Sequence, residues 1–369
     1  MSRTVVITGA NGFIGTNLAV RLRERGIDVR EVARDLDVAK MASVLEGASM
    51  VFHCAGVNRP LDDTEFAIGN VGITERLCQA LENLKAEIPV IYTSSIQALS
   101  DNPYGRSKQQ AEKVIRAYAS RAGVGCAIYR LPNVFGKWSR PAYNSVVATF
   151  CHNILNGLPI TIHDPASAMQ LVYIDDLVAE FIDRLENGLP ENEYPSVKPV
   201  YSTTVGELAE TLRSFHVSRE TLNPGGVGDG LRRGLYATFL SFMKPEHFAY
   251  DLVTHRDPRG EFAEMLRTEN AGQFSFFTAH PGVTRGGHYH HTKNEKFLVV
   301  QGKAQFRFRH VLSNETAQLF TEGSTPRIVE TVPGWAHDIT NVGKDTMIVL
   351  LWANENFDPE KPDTIVKQV

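Results

Sequence analysis

Three histidines and one glutamate near the C-terminal end are spaced like a ligand set. They read His288-x-His290-x4-Glu295-x6-Gly302, followed by Pro333-Gly334-x2-His337-x3-Asn341. Imidazole nitrogens and a carboxylate oxygen suit a divalent transition metal such as Zn, Fe, Ni or Mn. The flanking runs Lys296-Phe297-Leu298-Val299-Val300 and Met347-Ile348-Val349-Leu350-Leu351 have strand composition. Alternate side chains of a strand share a face, so His288 and His290 are expected to point into one interior. The same alternation turns His291 and Lys296 the other way, toward solvent or an interface. Tyr289 and Trp335 flank the ligands, where they could pack a sugar ring or fill the core.

A second chemistry opens the chain. Thr8-Gly9-Ala10-Asn11-Gly12-Phe13-Ile14-Gly15 follows a short β-branched run and precedes a helical one. Gly9 permits a tight turn, Gly12 lets the backbone approach a pyrophosphate, and Gly15 allows close helix-on-strand packing. Phosphates would then meet free amides at the helix N-terminus. An NAD site commonly ends its second strand with an acid on the ribose 2′-hydroxyl, but here Ala33 takes that place and Arg34 follows. A guanidinium pairs well with a 2′-phosphate, so NADP(H) is the expected cofactor. In Tyr104-Gly105-Arg106-Ser107-Lys108, spacing of four puts the phenol and the ammonium on one helix face. The ammonium should lower the tyrosine pKa, and the run Ile91-Tyr92-Thr93-Ser94-Ser95 supplies a hydroxyl partner.

The elements that must hold these groups follow from periodicity. Strand-like runs at 4–8, 28–33, 50–54, 90–94 and 126–130 alternate with helical stretches such as 17–25 and 108–122, stopped by Gly26 and Gly123. That alternation predicts an α/β fold, a doubly wound Rossmann-type parallel sheet covered on both faces. A strand and helix at about 200–215, a flexible NPGGVGDG break and a short helical stretch lead to Lys244-Pro245. Short strands with regular turns then predict an all-β barrel or sandwich, so two domains are expected, 1–245 and 246–369. At 369 residues, 43% hydrophobic and 22% charged, the chain has ordinary globular composition and room for two cores. Its net charge of -4 argues against nucleic acid or an anionic membrane as main partner. No apolar run approaches the roughly 18 residues of a membrane span, and no secretory leader pattern precedes the first strand, so a cytoplasmic protein is expected. Four cysteines without a CxxC read as small buried hydrophobes.

Residues 1 to about 245 resemble the extended short-chain dehydrogenase/reductases that act on nucleotide sugars. TGANGFIG, HCAGVNRP, TSS, YGRSK, RLPNVFG and VYIDDL occur in that family's order. The resemblance implies Tyr104 as acid/base, Lys108 on the nicotinamide ribose and Ser95 orienting the reacting oxygen, with Ser94 in that role if the strand is shifted. It places Gly9, Asn11, Gly12, Phe13, Ile14, Gly15, Arg34, Ala55, Gly56, Tyr104, Lys108 and Pro132 around the cofactor. Asn58, Arg59, Asn133 and Asn144 would meet the sugar nucleotide. Two departures stand out. Family dehydratases carry Asp-Glu where this chain has Ile96-Gln97, which argues against dehydration. Ser95 and Tyr104 are also close in sequence, so a substrate-side loop is missing.

The C-terminal third resembles the cupins. Gly282-x5-His288-x-His290-x4-Glu295-x6-Gly302 fits their first motif without a gap, and the second fits in its latter half only. By that resemblance His288, His290, Glu295 and His337 are metal ligands, with Zn the leading ion. A metal-free barrel whose histidines bond one another is the alternative. The pairing of the two halves resembles bifunctional capsular polysaccharide synthesis enzymes of the CapF type, a likeness carried by PNVFGKW, YNSVVATF, HHTKNEKFLVV and NENFDPEKPDT. It implies a UDP-activated amino sugar as substrate and a homodimer. The cupin part would epimerise C3 of a UDP-4-keto-6-deoxy-HexNAc. The reductase part would then reduce C4 with NADPH, giving UDP-N-acetyl-6-deoxy-talosamine. In a second reading only the reductase is catalytic and the cupin binds sugar or mediates dimerisation.

Overall fold

The computed structural model describes residues 3–33, 36–59, 62, 64–257, 260–263, 266, 272–355 and 360–369. The five β-branched runs become β1 (Thr4–Thr8), β2 (Asp28–Val32), β3 (Met50–His53), β4 (Val90–Ser95) and β5 (Cys126–Leu131). All pair in parallel, in the order β2-β1-β3-β4-β5. One face packs Val51, Tyr92 and Ile128 against the helices Val38–Leu45, Ile73–Leu84 and Pro103–Ala122. On the other face Phe52 and Tyr129 meet Phe181 of the helix Ile174–Asn187, which packs on the helix Phe13–Glu24. Strands buried on both sides must be largely apolar, as β1, β3, β4 and β5 are, while edge strand β2 is charged and more exposed. The sheet order reverses between β1 and β3, and such a switch point leaves a crevice beyond the strand ends. A smaller sheet runs β6 (Asn133–Phe135), β7 (Ala168–Tyr173), β8 (Tyr201–Thr204).

Two compact units result. One comprises Met1–Ser145 with Met169–Ser202, the other Val146–Ala168 with Thr203–Val369. Within the second, helices give way to strands after the 3-10 turn Pro245–His247. Beyond β9 (Ala249–Asp251), β10 (Thr254–Asp257) pairs with β11 (Gly260–Ala263). Two five-stranded sheets follow. The first is ordered β12 (Gln273–Ala279), β19 (Met347–Ala353), β14 (Glu295–Gln301), β17 (Arg327–Glu330), β9. In the second, β16 (Thr316–Glu322) is followed by β15 (Lys303–His310), β18 (Trp335–Asn341), β13 (Thr284–Tyr289) and β20 (Ile365–Val366). Their inner faces meet through Phe297 on Phe306, with ring centres 5.7 Å apart.

Three expectations are settled by burial. Trp335 packs edge-on against Phe248 and beside His310, and Tyr289 is 3% exposed, so both fill the core. His291 and Lys296 do turn away from the ligands, but they are buried and not solvent-facing. Lys296 is neutralised by Glu330, which also pairs with Arg219. Cys78, Cys126 and Cys151 are buried free thiols, and Cys54 is half-buried. Among the described residues no helix is long and apolar enough to cross a membrane.

Candidate active site and metal centre

The glycine turn after β1 is built for close approach. Gly9 adopts φ +68°, and a Cβ there would sit 2.7 Å from the Ala55 backbone. A Cβ on Gly15 would fall 2.2 Å from the Gly9 carbonyl oxygen, so helix and turn can touch only without side chains. The crevice at the switch point is a cleft of about 500 Å³, lined by Gly9, Asn11, Gly12, Ala33, Ala55 and Gly56, with Glu31 and Arg76 at its rim. Phe13 and Ile14 open the helix behind it and are not among the lining residues. Arg34, the expected selector of the 2′-phosphate, lies outside the described residues. Glu31 pairs with Arg23 at 2.6 Å.

Ser95 ends β4, and Tyr104 stands in the first turn of the helix Pro103–Ala122, which Asn102 caps by accepting the Gly105 N–H. Ser95 Oγ accepts the Gln97 N–H at 3.2 Å, and its hydroxyl is near enough to the Tyr104 phenol to favour the ionised form. Ser94 is committed elsewhere: its Oγ donates to Glu112 Oε1 at 2.5 Å, and Glu112 takes a bidentate Arg130. Lys108 is 5% exposed, donates to the Thr93 carbonyl at 2.9 Å and lies over the Tyr92 ring. A Cβ on Gly56 would come within 3.2 Å of its Nζ, so the ammonium packs beside the Gly56 wall of the cleft, although Lys108, Tyr104 and Ser95 are not themselves among the lining residues. Burial pushes Lys108 down to about 8. The tyrosine departs from expectation: burial raises the Tyr104 phenol, and only the Ser95 hydroxyl works against this. The nearby ammonium is directed at the β4 carbonyl and the Tyr92 ring, which explains why it does not pull the phenol down. Asn58 is half-buried, and Arg59, Asn133 and Asn144 are exposed; neither they nor Pro132 line the cleft.

Sequence reasoning missed the buried chain that ties the turn to the helix Pro103–Ala122. Thr74 Oγ1 donates to the Asn70 carbonyl at 2.6 Å, so its contact with His53 must be donated by His53 Nε2–H, at 2.8 Å. His53 Nδ1 then accepts from Thr8 Oγ1 at 2.6 Å, and Thr8 accepts the Ala55 N–H. Burial and the Lys108 charge push His53 down to about 3, which keeps this ring neutral. Asn70 grips both backbone groups of Val57 and donates to Ser107 Oγ, which donates to the Tyr104 carbonyl. Asn70 sits in the π-helical turn Ala67–Gly72. Such turns, often found at functional sites, are the one signal that might be sought, but sequence spacing does not reveal them.

In the second unit, His288, His290, Glu295 and His337 converge as expected, with donor atoms all within 4.8 Å of one another. A bulge at Gly286 shifts the β13–β18 register so that His288 stands opposite His337. Glu295 comes from β14 on the other sheet. Its Oε2 lies 3.1 Å from His290 Nε2 and 3.4 Å from His337 Nε2. Burial and the neighbouring imidazoles push His288 down to about 3, and burial lowers His337 as well. Burial would raise Glu295, but the adjoining His290 and His337 rings hold it well below the carboxylate range. His337 Nε2 is buried without a well-formed hydrogen bond. Three converging imidazoles, two of them pushed toward the neutral form, an ionised carboxylate and an inward His337 nitrogen without a hydrogen bond fit a divalent transition metal. The second shell fits too: His290 Nδ1 bonds the Asp363 carbonyl, which leaves Nε2 facing inward.

Comparison with known proteins agrees with both halves. Residues 5–194 match the model of the NAD dependent epimerase/dehydratase family, and residues 255–365 that of the polysaccharide biosynthesis C-terminal domain. A UDP-2-acetamido-2,6-beta-L-arabino-hexul-4-ose reductase of Pseudomonas aeruginosa is 53% identical over 98% of this chain and 97% of its own. The capsular polysaccharide assembling protein CapF of Staphylococcus aureus superposes with a TM-score of 0.68 at 40% identity, covering 99% of this chain and 100% of its own. A UDP-glucose 4-epimerase of Thermotoga maritima, at 19% identity and TM-score 0.56 over 65% of this chain and 98% of its own, shares the fold. With residues 5–194, about half of its length, matching the family's model, and with the nucleotide fold of its first unit, the chain belongs to the NAD dependent epimerase/dehydratase family.

Proposed function

We propose that this chain is a bifunctional nucleotide-sugar enzyme of capsular or surface polysaccharide precursor synthesis. Its substrate would be a UDP-4-keto-6-deoxy-HexNAc, epimerised at C3 in the C-terminal cupin-type domain (246–369) and reduced at C4 in the N-terminal reductase domain (1–245). The product would be UDP-N-acetyl-6-deoxy-talosamine. The observation that carries the reading is the placing of Ser95, Tyr104 and buried Lys108 next to the glycine-lined cleft, with Lys108 beside its Gly56 wall. The activity of the 53% identical relative, a UDP-sugar reductase, supports it.

When bound, a reduced nicotinamide supplies hydride, and NADPH is favoured because Ala33 stands where an NAD site carries an acid. Ser95 orients the C4 oxygen and Tyr104 gives it a proton as the alkoxide develops. Lys108 holds the cofactor ribose against the cleft wall. Asn58, Arg59, Asn133 and Asn144 would meet the sugar diphosphate. The C3 hydrogen of a 4-ketone is acidic, because its carbanion delocalises into the carbonyl. A divalent cation, Zn by preference, held by His288, His290, Glu295 and His337 would supply Lewis acidity or rigidity there. Reduction at C4 then removes the acidifying ketone and fixes the new C3 configuration. Exposed Phe274 on edge strand β12 and Phe320 on edge strand β16 support a homodimer that covers these edges.

The test is incubation of the protein with UDP-4-keto-6-deoxy-HexNAc in deuterated water, followed by NMR. Deuterium should enter C3 without NADPH, and addition of NADPH should convert the ketone. Failure of exchange sinks the epimerase half; turnover of NADPH with unexchanged C3 leaves the reductase as the sole enzyme.

A further inference from the structure

The last residues of the chain lie against the strand and turn that carry two of the four clustered ligands. β20 pairs with β13, placing Val366 opposite His288 and Ile365 opposite Tyr289, and the Lys367 N–H donates to the Gly287 carbonyl at 2.8 Å. Just before β20, the Asp363 carboxylate accepts three successive backbone N–H groups of the turn after β13. His291 donates to Oδ1 at 2.9 Å, and Thr292 and Lys293 to Oδ2 at 2.6 and 2.8 Å. The Thr292 hydroxyl adds a fourth bond at 3.0 Å. These bonds close the loop between His290 and Glu295. The same residue's main-chain carbonyl bonds His290 Nδ1. A carbonyl can only accept, so Nδ1 carries a hydrogen; Nε2 is the nitrogen turned toward Glu295 and His337, the one a metal would take once its own proton has left.

We infer that Asp363 is a positioning residue for the metal centre. Its carboxylate fixes the His290–Glu295 turn, its carbonyl sets the His290 tautomer, and the tail 363–367 is a strap whose docking is coupled to metal occupancy. This rests on the reading of the four-residue cluster as a metal site. Outer-shell groups of this kind are worth about 10- to 100-fold in metal affinity. Coupling is reciprocal, so whatever factor the docked tail adds to metal affinity, bound metal must add to tail docking.

The test uses the full chain, wild type and Asp363→Ala, with Asp363→Asn as the conservative variant should alanine fail to fold. Zn affinity is measured by competition with a chromophoric chelator. The His290 tautomer is read by 15N NMR of the metal-free protein, with His290→Gln for assignment. Release of C-terminal residues by carboxypeptidase is timed with and without Zn. We expect Asp363→Ala to bind Zn 10- to 100-fold more weakly, with both His290 tautomers populated and faster tail digestion. Asp363→Asn, which keeps one acceptor oxygen on the turn, should recover part of each loss. Zn should slow digestion of the wild type and much less that of Asp363→Ala. If Asp363→Ala binds Zn as tightly as wild type and keeps the Nδ1–H form, the inference is overturned while the metal site stands. If wild type binds no Zn, the metal reading itself falls, and with it the coupling.

Discussion

Replacing Glu330 by leucine tests the most tightly buried ion cluster described above. Glu330 is 1% exposed and takes Lys296 on one oxygen and Arg219 on the other. Tyr250 completes the cluster, its hydroxyl 3.2 Å from Lys296 Nζ. Burial alone would raise the Glu330 carboxyl; the Arg219 and Lys296 charges more than reverse this and leave it at about 2 against an ordinary 4.5. That difference corresponds to about 3 kcal/mol of interaction favouring the ionised form. Removing one partner of a buried pair typically costs about 3–5 kcal/mol, since the other charge is stranded. Lys296, at 3% exposure, has no route to water. Glu330→Leu should therefore lower the urea unfolding free energy of the second unit by about 3–5 kcal/mol at pH 7. Combining it with Lys296→Met should recover much of the loss, because Arg219, with 18% of its side chain exposed, can rehydrate. The folded-state carboxyl is depressed, so its stabilisation is complete above pH 4.5 and drains away as pH falls toward 2. Acid titration should show that loss in wild type and a weaker one in Glu330→Leu. A single variant losing under about 1 kcal/mol, or a double variant worse than the single, would refute the reasoning.

Gly56→Ala should weaken NADPH binding at least tenfold, because the new Cβ would stand 2.8 Å from Asn70 Oδ1 and 3.2 Å from Lys108 Nζ, and Asn70 is held on both sides by Val57; fluorescence titration reads it. Since burial holds Lys108 at about 8, NADPH affinity should fall above pH 8, by up to about tenfold per pH unit, as the ammonium is lost. A flat profile from pH 6.5 to 9.5 speaks against that role. Arg34→Ala should reduce the NADPH-to-NADH preference in kcat/KM by about tenfold or more, a 2′-phosphate pair being worth about 1.5–3 kcal/mol; an unchanged ratio shows that another group selects. Tyr104→Phe should abolish NADPH oxidation yet leave deuterium exchange at C3, and loss of both would contradict separate sites.

Local patterns were legible in the sequence. The five strand runs of the parallel sheet match their strands to within one residue at each end; four leave the continuous apolar signal of a strand buried on both faces, and the charged edge strand β2 shows instead between its helices. The glycine turn was legible because it depends on spacing within one strand–turn–helix, and the ligands His288, His290 and Glu295 because they lie close along one stretch of chain, whereas His337 was joined to them by its own short motif and family likeness. What long-range contacts decide was not. Alternation gives sidedness but not solvent, so Lys296 read as exposed until Glu330 and Arg219, far along the chain, neutralised it. Ser94 and Ser95 are indistinguishable as letters; the buried Glu112 that claims Ser94 comes from the middle of a helix. The Tyr104–Lys108 spacing placed both groups correctly but not their electrostatics, because the ammonium turns to the Thr93 carbonyl. Asn70 and Asp363 carry no motif of their own.

The nearness of Ser95 and Tyr104 along the chain has a consequence for how this protein tolerates change. Only the turn Ile96–Leu99 and a short loop separate the two residues, so closing the contact costs little chain entropy and needs almost nothing beyond its own segment. The histidine–glutamate cluster is the reverse: β13, β14 and β18 must all find register before Glu295 meets His337, and a slip of one residue would send a ligand through to the far side. Insertions between elements should thus spare the hydroxyl pair wherever they fall outside its segment, while the imidazole cage inherits every error of strand pairing.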